Sequence, residues 1–182
     1  MNCLKPEMIV YSWESLILER KVLVTSSTQS LIAPCCEFLR RLILPLILVQ
    51  AYVPVTSVGT MNVIEAPFPY LVGVHSDLLG LMPWLDYSDI VVVDIDSGSI
   101  TVPSGRDSGA HAPKSLVNKL KKDVSTIIMK KLDTLVRRPT NLAPYLGMYH
   151  VVFNEESEVK EGNLILKLFM KTNMHLMSGK YR

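Results

Sequence analysis

Two nearly unbroken apolar runs, at residues 70–74 and 90–95, constrain the fold of this chain more than any other feature. A strand with apolar side chains on both of its sides is buried on both faces, which is typical of a parallel sheet covered by helices. Pro67 and Pro69 bias the residues that precede them toward extended geometry and so lead into the first run. The two runs therefore predict central strands of an α/β fold.

Further helices and strands are predicted on both sides of these runs. Apolar residues recur at helical spacing in three segments, residues 8–19, 29–42 and 115–138. β-Branched residues predict two more strands, residues 21–25 and 50–55. Pro54 confines the second of these to a sheet edge or to the end of its strand. This order predicts a mostly parallel sheet flanked by helices in three layers.

Caps and turns are expected between these elements. Ser26, Ser27 and Thr28 carry hydroxyl groups suited to capping the helix that follows them. Single helical turns are expected at residues 60–65 and 76–81. Residues 96–99 favour a turn into a last strand at 100–102, because Asp and Gly suit the backbone geometry of tight turns.

The C-terminal part of the chain is predicted to hold a second, incomplete unit. Residues 103–113 are expected to form a loop, and residues 145–153 fit a strand and a helix equally well. Residues 155–161 are expected to form an acidic linker, and apolar positions from Leu164 onward predict an amphipathic helix cut short by the chain end. We expect an α/β module and a truncated helical piece, at residues 9–154 and 161–182.

Charge is divided unevenly along the chain. Residues 1–112 carry six Lys and Arg against eleven Asp and Glu, a net charge of −5. Residues 113–182 carry thirteen against six, a net charge of +7. The predicted helix at 115–138 has a basic face that includes Lys119 and Lys122. This face is either ordinary solvated surface or a contact for an acidic partner or an anionic membrane.

Cysteine and hydropathy patterns bear on the cellular compartment. Cys35 and Cys36 are adjacent and poorly placed for an ordinary disulfide with each other, which favours a reducing, cytoplasmic environment. The first residues lack the pattern of a signal peptide. The apolar run at 42–49 is interrupted by Pro45 and is much shorter than the roughly 20 residues of a membrane-spanning helix. We expect that run in the core.

Few residues indicate side-chain catalysis. Asp94 and Asp96 end an apolar strand with the spacing of the paired carboxylates in Mg²⁺-dependent phosphatases, but the later acidic pair of such enzymes is absent. The alternative is a hairpin turn in which Asp96 bonds backbone groups. No phosphate-binding loop occurs, the histidines lack metal-ligand spacing, and aromatic residues are too few for a nucleic-acid platform. We expect a protein without enzymatic side-chain chemistry, cofactor, metal or nucleic acid.

An ordered set of short motifs resembles the central module of DENN domains. The segment around Glu19, Arg20 and Lys21 is similar to the Leu-Glu-Arg-Lys step that opens this module. The later motifs follow in the family's order: Tyr52-Val53-Pro54-Val55, Glu65-Ala66-Pro67-Phe68-Pro69, Gly73-Val74-His75-Ser76 and Val93-Asp94-Ile95-Asp96-Ser97-Gly98. The resemblance covers residues 9–137. Phe169 and Tyr181 also resemble the start of the family's downstream helical module.

The resemblance implies guanine nucleotide exchange on a Rab-family GTPase in vesicle and membrane traffic. An exchange factor that prefers the nucleotide-free GTPase must lower nucleotide affinity by the same factor, because linkage is reciprocal. Such a protein needs a contact surface, and ligand sites of open α/β sheets lie beyond the carboxyl ends of the strands. The candidate contact residues at those ends are His75, Ser76, Asp77, Asp94, Asp96 and Ser97. The motif residues expected to shape the fold are Glu19, Arg20, Pro54, Glu65, Ala66, Pro67, Pro69, Gly73 and Gly98.

Two departures from the family pattern leave a second interpretation open. Pro45-Leu46-Ile47-Leu48 stands where Pro-Phe-x-Trp is usual, and no upstream longin-like module is matched. In the family both modules hold the GTPase, so the resemblance implies that a longin-like module of the same or another chain completes the surface. The alternative is a scaffold or partial fragment that binds a partner or a GTPase without exchange. Either would act in the cytoplasm, peripherally at endosomal or vesicle membranes.

Overall fold

The computed structural model describes residues 4–103, 112–136 and 155–178, with side chains described for 4–103, 112–129 and 163–178. In chain order its helices and strands are α1 (Pro6–Ile17), β1 (Lys21–Ser26), α2 (Gln29–Leu42), β2 (Ala51–Val53), β3 (Tyr70–His75), α3 (Ser76–Gly80), β4 (Ile90–Asp94), β5 (Ser99–Thr101), α4 (Lys114–Val136) and α5 (Glu155–Met177). A 3-10 helix, Val58–Glu65, lies between β2 and β3.

The strands of the described residues form one sheet in the order β2-β3-β1-β4-β5. β2, β3, β1 and β4 run parallel, and β5 pairs antiparallel with β4. The prediction of a mostly parallel sheet is confirmed. β2 is an edge strand that ends one residue before Pro54, as expected for a residue without an amide donor.

Successive side chains of the central strands enter two apolar cores, one on each face of the sheet. On the first face, Val22, Val24, Val91 and Val93 join α1, α2, α4 and α5 in one cluster. On the second face, alternating strand residues pack with the 3-10 helix and with α3. Because apolar residues fill both sides of β1, β3 and β4, the sheet is the middle layer of an α/β fold.

α5 is joined to α1 and α2 by both apolar and polar contacts. Phe169 is fully buried, with its ring centroid 5.5 Å from that of Trp13. The Asn173 side chain, also fully buried, accepts a hydrogen bond from Trp13 Nε1 at 2.9 Å. Its Nδ2 donates to the carbonyl oxygens of Leu42 and Leu44, at 2.9 and 2.8 Å. The last carbonyls of an α-helix have no hydrogen-bond donor within the helix, and the Asn173 amide of α5 supplies a donor at the end of α2.

Two sequence expectations for the helices were wrong. Residues 155–161, expected to form a linker, belong to α5, which begins at Glu155. Glu and Lys are good helix formers, and acidic residues are favourable in a first helical turn, so charge alone does not indicate a linker. Thr28 is the N-cap residue of α2, but its side chain makes no capping hydrogen bond. Its amide donates instead to Ser26 Oγ at 3.0 Å.

The apolar run at 42–49 is only partly in the core, contrary to expectation. Leu42 and Ile43 are buried, whereas Ile47 and Val49 are 84% and 87% exposed. The chain leaves α2 here and crosses the surface before β2. Among the described residues, every helix is too short or too polar to cross a membrane.

Several expectations fall on residues outside the described ranges. These are most of the loop at 103–113, the last residues of the helix at 115–138, the ambiguous segment at 145–153, and Tyr181. The division into modules at 9–154 and 161–182 stays a prediction.

Candidate interaction site at the carboxyl edge of the sheet

The candidate contact residues surround the ends of three neighbouring parallel strands. β1 lies between β3 and β4, with Ser26 paired to His75 and Thr25 paired to Asp94. The segments that follow β1, β3 and β4 therefore emerge side by side at the carboxyl edge. This register brings the candidates at 75–77 and 94–97 to the same edge of the sheet.

The Asp96 carboxylate connects the β4–β5 turn to the end of β1. Its Oδ1 accepts a hydrogen bond from Ser26 Oγ at 2.7 Å, and its Oδ2 accepts one from the Ser27 amide at 2.6 Å. The Ser26 hydroxyl, followed by the Ser27 amide, lowers the pKa of the Asp96 carboxyl, since both stabilise the charged form. Asp96 thus holds the segment between β1 and α2 in place.

His75 connects the end of β3 to the same segment. Its Nε2 lies 2.8 Å from the Ser27 carbonyl oxygen, which can only accept, so Nε2 donates. The other ring nitrogen, Nδ1, accepts from the Asp77 amide at 3.2 Å and caps the start of α3. A ring proton on Nε2 and a lone pair on Nδ1 satisfy both hydrogen bonds, and Asp77 Oδ2 lies 3.6 Å from Nδ1. The Asp77 side chain is 88% exposed, so most of its carboxylate faces solvent.

The Asp94 carboxylate stabilises the turn itself. Its Oδ1 accepts from the amides of Asp96 and Ser97, at 2.9 and 3.3 Å, and its Oδ2 accepts from Ser97 Oγ at 2.6 Å. Gly98, with a φ of 60°, completes the turn into β5. Asp94 therefore accepts hydrogen bonds from its own turn, whereas Asp96 accepts them from the residues at the end of β1. Within the described residues, no three His, Cys, Asp or Glu side chains converge as a metal site would require.

Apolar side chains accompany these polar groups at the carboxyl edge. Leu31, in the first turn of α2, is 37% exposed, and Val55 and Val58, which follow β2, are 40% and 67% exposed. The Thr56 amide donates to the Gly73 carbonyl at 2.8 Å and so holds the segment after β2 against β3. An apolar centre with a polar rim is the usual composition of a protein interface.

Some of the motif residues expected to shape the fold lie at the opposite, amino edge of the sheet. A cleft of about 220 Å³ there is lined by Glu19, Arg20, Lys21, Pro67, Pro69, Asp89 and Pro103. Lys21 Nζ and Asp89 Oδ2 form an ion pair at 2.8 Å.

The end of α1 lies beside this cleft. Glu19 has a φ of 51°, and its amide donates a hydrogen bond to the Leu16 carbonyl. The Arg20 amide bonds to the Ser15 carbonyl, which completes the Schellman pattern at the end of α1.

The remaining motif residues lie in or beside β2 and β3. A Cβ at Gly73 would overlap the Pro54 carbonyl and the Ile32 side chain, so this position requires glycine. Glu65 accepts a hydrogen bond from Trp84 Nε1 at 2.8 Å, and Ala66, which follows the 3-10 helix, is buried. Pro54 and Gly73 therefore set the close packing of β2, β3 and α2.

Sequence reasoning missed one feature of the carboxyl edge and one feature of α2. It assigned Ser26 and Ser27 to helix capping, whereas they bind Asp96 and His75. The sequence signal that could have indicated these contacts was a polar residue at the end of one predicted buried strand together with an Asp-x-Asp turn at the end of another. It also missed the ion cluster of Glu37, which accepts from Arg40, Arg41 and the Tyr52 hydroxyl at 2.8–3.2 Å. The helical spacing of Glu37 and the two arginines could have indicated it.

A family model described as the DENN (AEX-3) domain matches residues 1–98, more than half of the sequence. The chain belongs to the DENN domain family. It is 27% identical over 177 residues to DENN domain-containing protein 1B of Mus musculus, an alignment that covers 92% of this chain and 23% of that protein. The human protein of the same name is 25% identical over 177 residues, with the same coverage.

A plant relative is similar over a shorter stretch. The DENN domain and WD repeat-containing protein SCD1 of Arabidopsis thaliana is 33% identical over 101 residues, which is 56% of this chain and 8% of that protein. The chain spans about a quarter of the length of the mouse and human relatives.

Proposed function

We propose that this chain is a guanine nucleotide exchange module for a Rab-family GTPase and that the carboxyl edge of its sheet contacts the GTPase. Membership of the DENN family supports the reaction class. The observation that carries the choice of surface is the cross-linking of three strand ends by Asp96 and His75 through Ser26 and Ser27.

A rigid surface suits this task. To expel a nucleotide, the exchange factor must bind the nucleotide-free form more tightly than the loaded form, and its contacts must supply that difference. Loops that are already ordered lose little conformational entropy on binding, so more of the contact energy remains for the GTPase. The hydrogen bonds of Asp96 and His75 order three loops before any partner arrives.

Asp77 is proposed as the residue that meets a cationic or N–H group of the GTPase. Its side chain is 88% exposed and its Oδ2 lies 3.6 Å from His75 Nδ1, beyond hydrogen-bond distance, whereas the nearby carboxylates of Asp94 and Asp96 accept hydrogen bonds from their own chain. Leu31, Val55 and Val58 would supply the apolar part of the contact. A longin-like module, in the same chain or another, would extend this surface.

The test is release of a fluorescent GDP analogue from a panel of purified Rab GTPases, with the wild-type chain, Asp77→Asn and Asp86→Asn. Asp86 is an exposed aspartate in the segment before β4, at the opposite edge, and serves as the matched control. We expect accelerated release from one or a few GTPases, about tenfold weaker for Asp77→Asn, the effect of one charge-assisted contact. Asp86→Asn should match wild type. Equal activity of all three would refute the assignment of the surface.

A scaffold that binds a GTPase without exchange is the second candidate, because Pro45-Leu46-Ile47-Leu48 departs from the Pro-Phe-x-Trp segment usual in the family. Binding of nucleotide-free GTPase in a pull-down, with no acceleration of release, would identify it. Acceleration that appears only when a longin-like module is added would instead show that exchange needs both modules. For either activity we propose a peripheral location at vesicle or endosomal membranes in the cytoplasm.

A further inference from the structure

A second cleft, of about 620 Å³, lies between α1 and the first turns of α4, away from the carboxyl edge. Tyr11, Glu14 and Ser15 form the α1 side, and Lys114, Val117 and Lys121 are among the residues of the α4 side. The volume falls within the range of small-molecule sites, roughly 300–1,000 Å³. The exchange function proposed above does not use this cleft.

The charged residues that line the cleft are mostly cationic. Among the described residues that line the cleft, Arg20, Lys114 and Lys121 are cationic and Glu14 is anionic. Glu14 is 7% exposed and accepts a hydrogen bond from the Ala112 amide at 3.0 Å, so part of its acceptor capacity is used within the protein. The lining therefore carries a formal excess of positive charge, which attracts anions.

Lys121 is held in place at the cleft. Its Nζ donates to the Tyr11 hydroxyl oxygen at 3.0 Å and lies 4.1 Å from the centroid of the Tyr11 ring. A hydroxyl that accepts from Lys121 keeps its own proton for donation to another group. The ammonium and the hydroxyl thus form a pair of ordered donors, and the Asn118 amide lies on the same wall.

Clustered ammonium groups with neutral donors suit a ligand with several negative oxygens. Lysine binds phosphate groups as a compact point charge, and hydroxyl and amide donors complete the coordination of phosphate oxygens. We propose that the α1–α4 cleft binds a phosphate-bearing ligand, held by Lys114 and Lys121 with Tyr11 and Asn118. The phosphate groups belong either to a soluble polyphosphorylated molecule or to a lipid headgroup.

The experiment compares two double variants of the full chain. Lys114→Gln/Lys121→Gln removes two charges from the cleft. Lys119→Gln/Lys122→Gln removes two charges from exposed positions on the same helix that do not line the cleft. Calorimetry measures binding of inositol hexakisphosphate, and flotation measures binding to phosphatidylcholine vesicles with and without 5% phosphatidylinositol bisphosphate.

We expect Lys114→Gln/Lys121→Gln to bind the phosphate-bearing probe at least tenfold more weakly than wild type does, while the affinity of Lys119→Gln/Lys122→Gln stays within about threefold of wild type. Arginine at both cleft positions should retain binding, because it keeps the charge. Binding of inositol hexakisphosphate without binding to the phosphoinositide vesicles identifies a soluble ligand, and binding to the phosphoinositide vesicles identifies a headgroup. The proposal is overturned if neither ligand binds wild type, or if both double variants weaken binding equally. Far-UV circular dichroism and urea midpoints check that each variant is folded.

Discussion

Replacement of Asn173 should destabilise the protein more than most single substitutions on its helices. Asn173→Ala removes three hydrogen bonds, one to Trp13 Nε1 and two to the carbonyls of Leu42 and Leu44. The bonds to Trp13 and Leu42 are buried, and the third is partly buried. A buried polar group left without a partner costs about 1–3 kcal/mol. The loss in the free energy of unfolding should therefore be about 3–5 kcal/mol.

Urea denaturation followed by tryptophan fluorescence measures this loss. Trp13 is fully buried and Trp84 is 68% exposed, so a Trp84→Phe background assigns the signal to Trp13. Asn163→Ala, an exposed position on α5, is the matched control and should change the free energy of unfolding by less than about 0.5 kcal/mol.

A double-mutant cycle isolates the bond between Asn173 and Trp13. Trp13→Phe removes the indole N–H, so Asn173→Ala should cost about 1–2 kcal/mol less in that background than in wild type. Because Trp13→Phe also removes the buried fluorophore, unfolding in all four proteins of the cycle is followed by far-UV circular dichroism. Hydrogen exchange across 163–178 would show whether α5 detaches before the rest of the chain unfolds. A total cost below about 1 kcal/mol, or an absent coupling energy, would refute the argument that Asn173 holds α5 on α1 and α2.

Three further substitutions test the packing, the charges and the backbone. Gly73→Ala should lower the free energy of unfolding by about 2–3 kcal/mol, because the new Cβ overlaps the Pro54 carbonyl. Gly59→Ala is the control, since its Cβ would lie 4.0 Å from Ser57 Oγ, an ordinary contact; equal effects of the two substitutions in urea titrations would contradict this prediction. Arg40, then Arg41 and Tyr52, lower the pKa of Glu37 to about 2, so its stabilising contribution is present above the ordinary value of about 4.3 and is lost as the pH falls toward 2. The stability advantage of wild type over Glu37→Gln should shrink between pH 6 and pH 3, and a constant difference in urea midpoint would exclude this linkage. Glu19→Gly should raise the melting temperature and increase the free energy of unfolding by about 0.5–1 kcal/mol, because glycine adopts the left-handed φ of 51° without strain. A lower melting temperature would show that the Glu19 side chain is needed.

Much of the fold was predictable because the signals are local. Residues 70–74 and 90–95 predicted buried strands, and Pro54 predicted that β2 lies at a sheet edge or ends at this residue, since each prediction depends on the covalent structure or polarity of neighbouring residues. The same local reasoning failed at 155–161, where charge was taken for a linker although Glu and Lys favour helix. For the candidate surface, the order of the residues predicted which side chains follow the strand ends. It did not predict the hydrogen-bond partners of those side chains.

The sequence by itself determined the class of this protein: an α/β chain of the DENN family, with its candidate contact residues placed after successive strands. Only the tertiary structure decided how those positions are held. Asp96 binds Ser26 from 70 residues away, and Asn173 binds Trp13 from 160 residues away. Strand and helix patterns repeat every two to four residues and can be read along the chain, whereas such bonds depend on the packing of distant elements. Chain folding brings these partners together, and no local pattern specifies them.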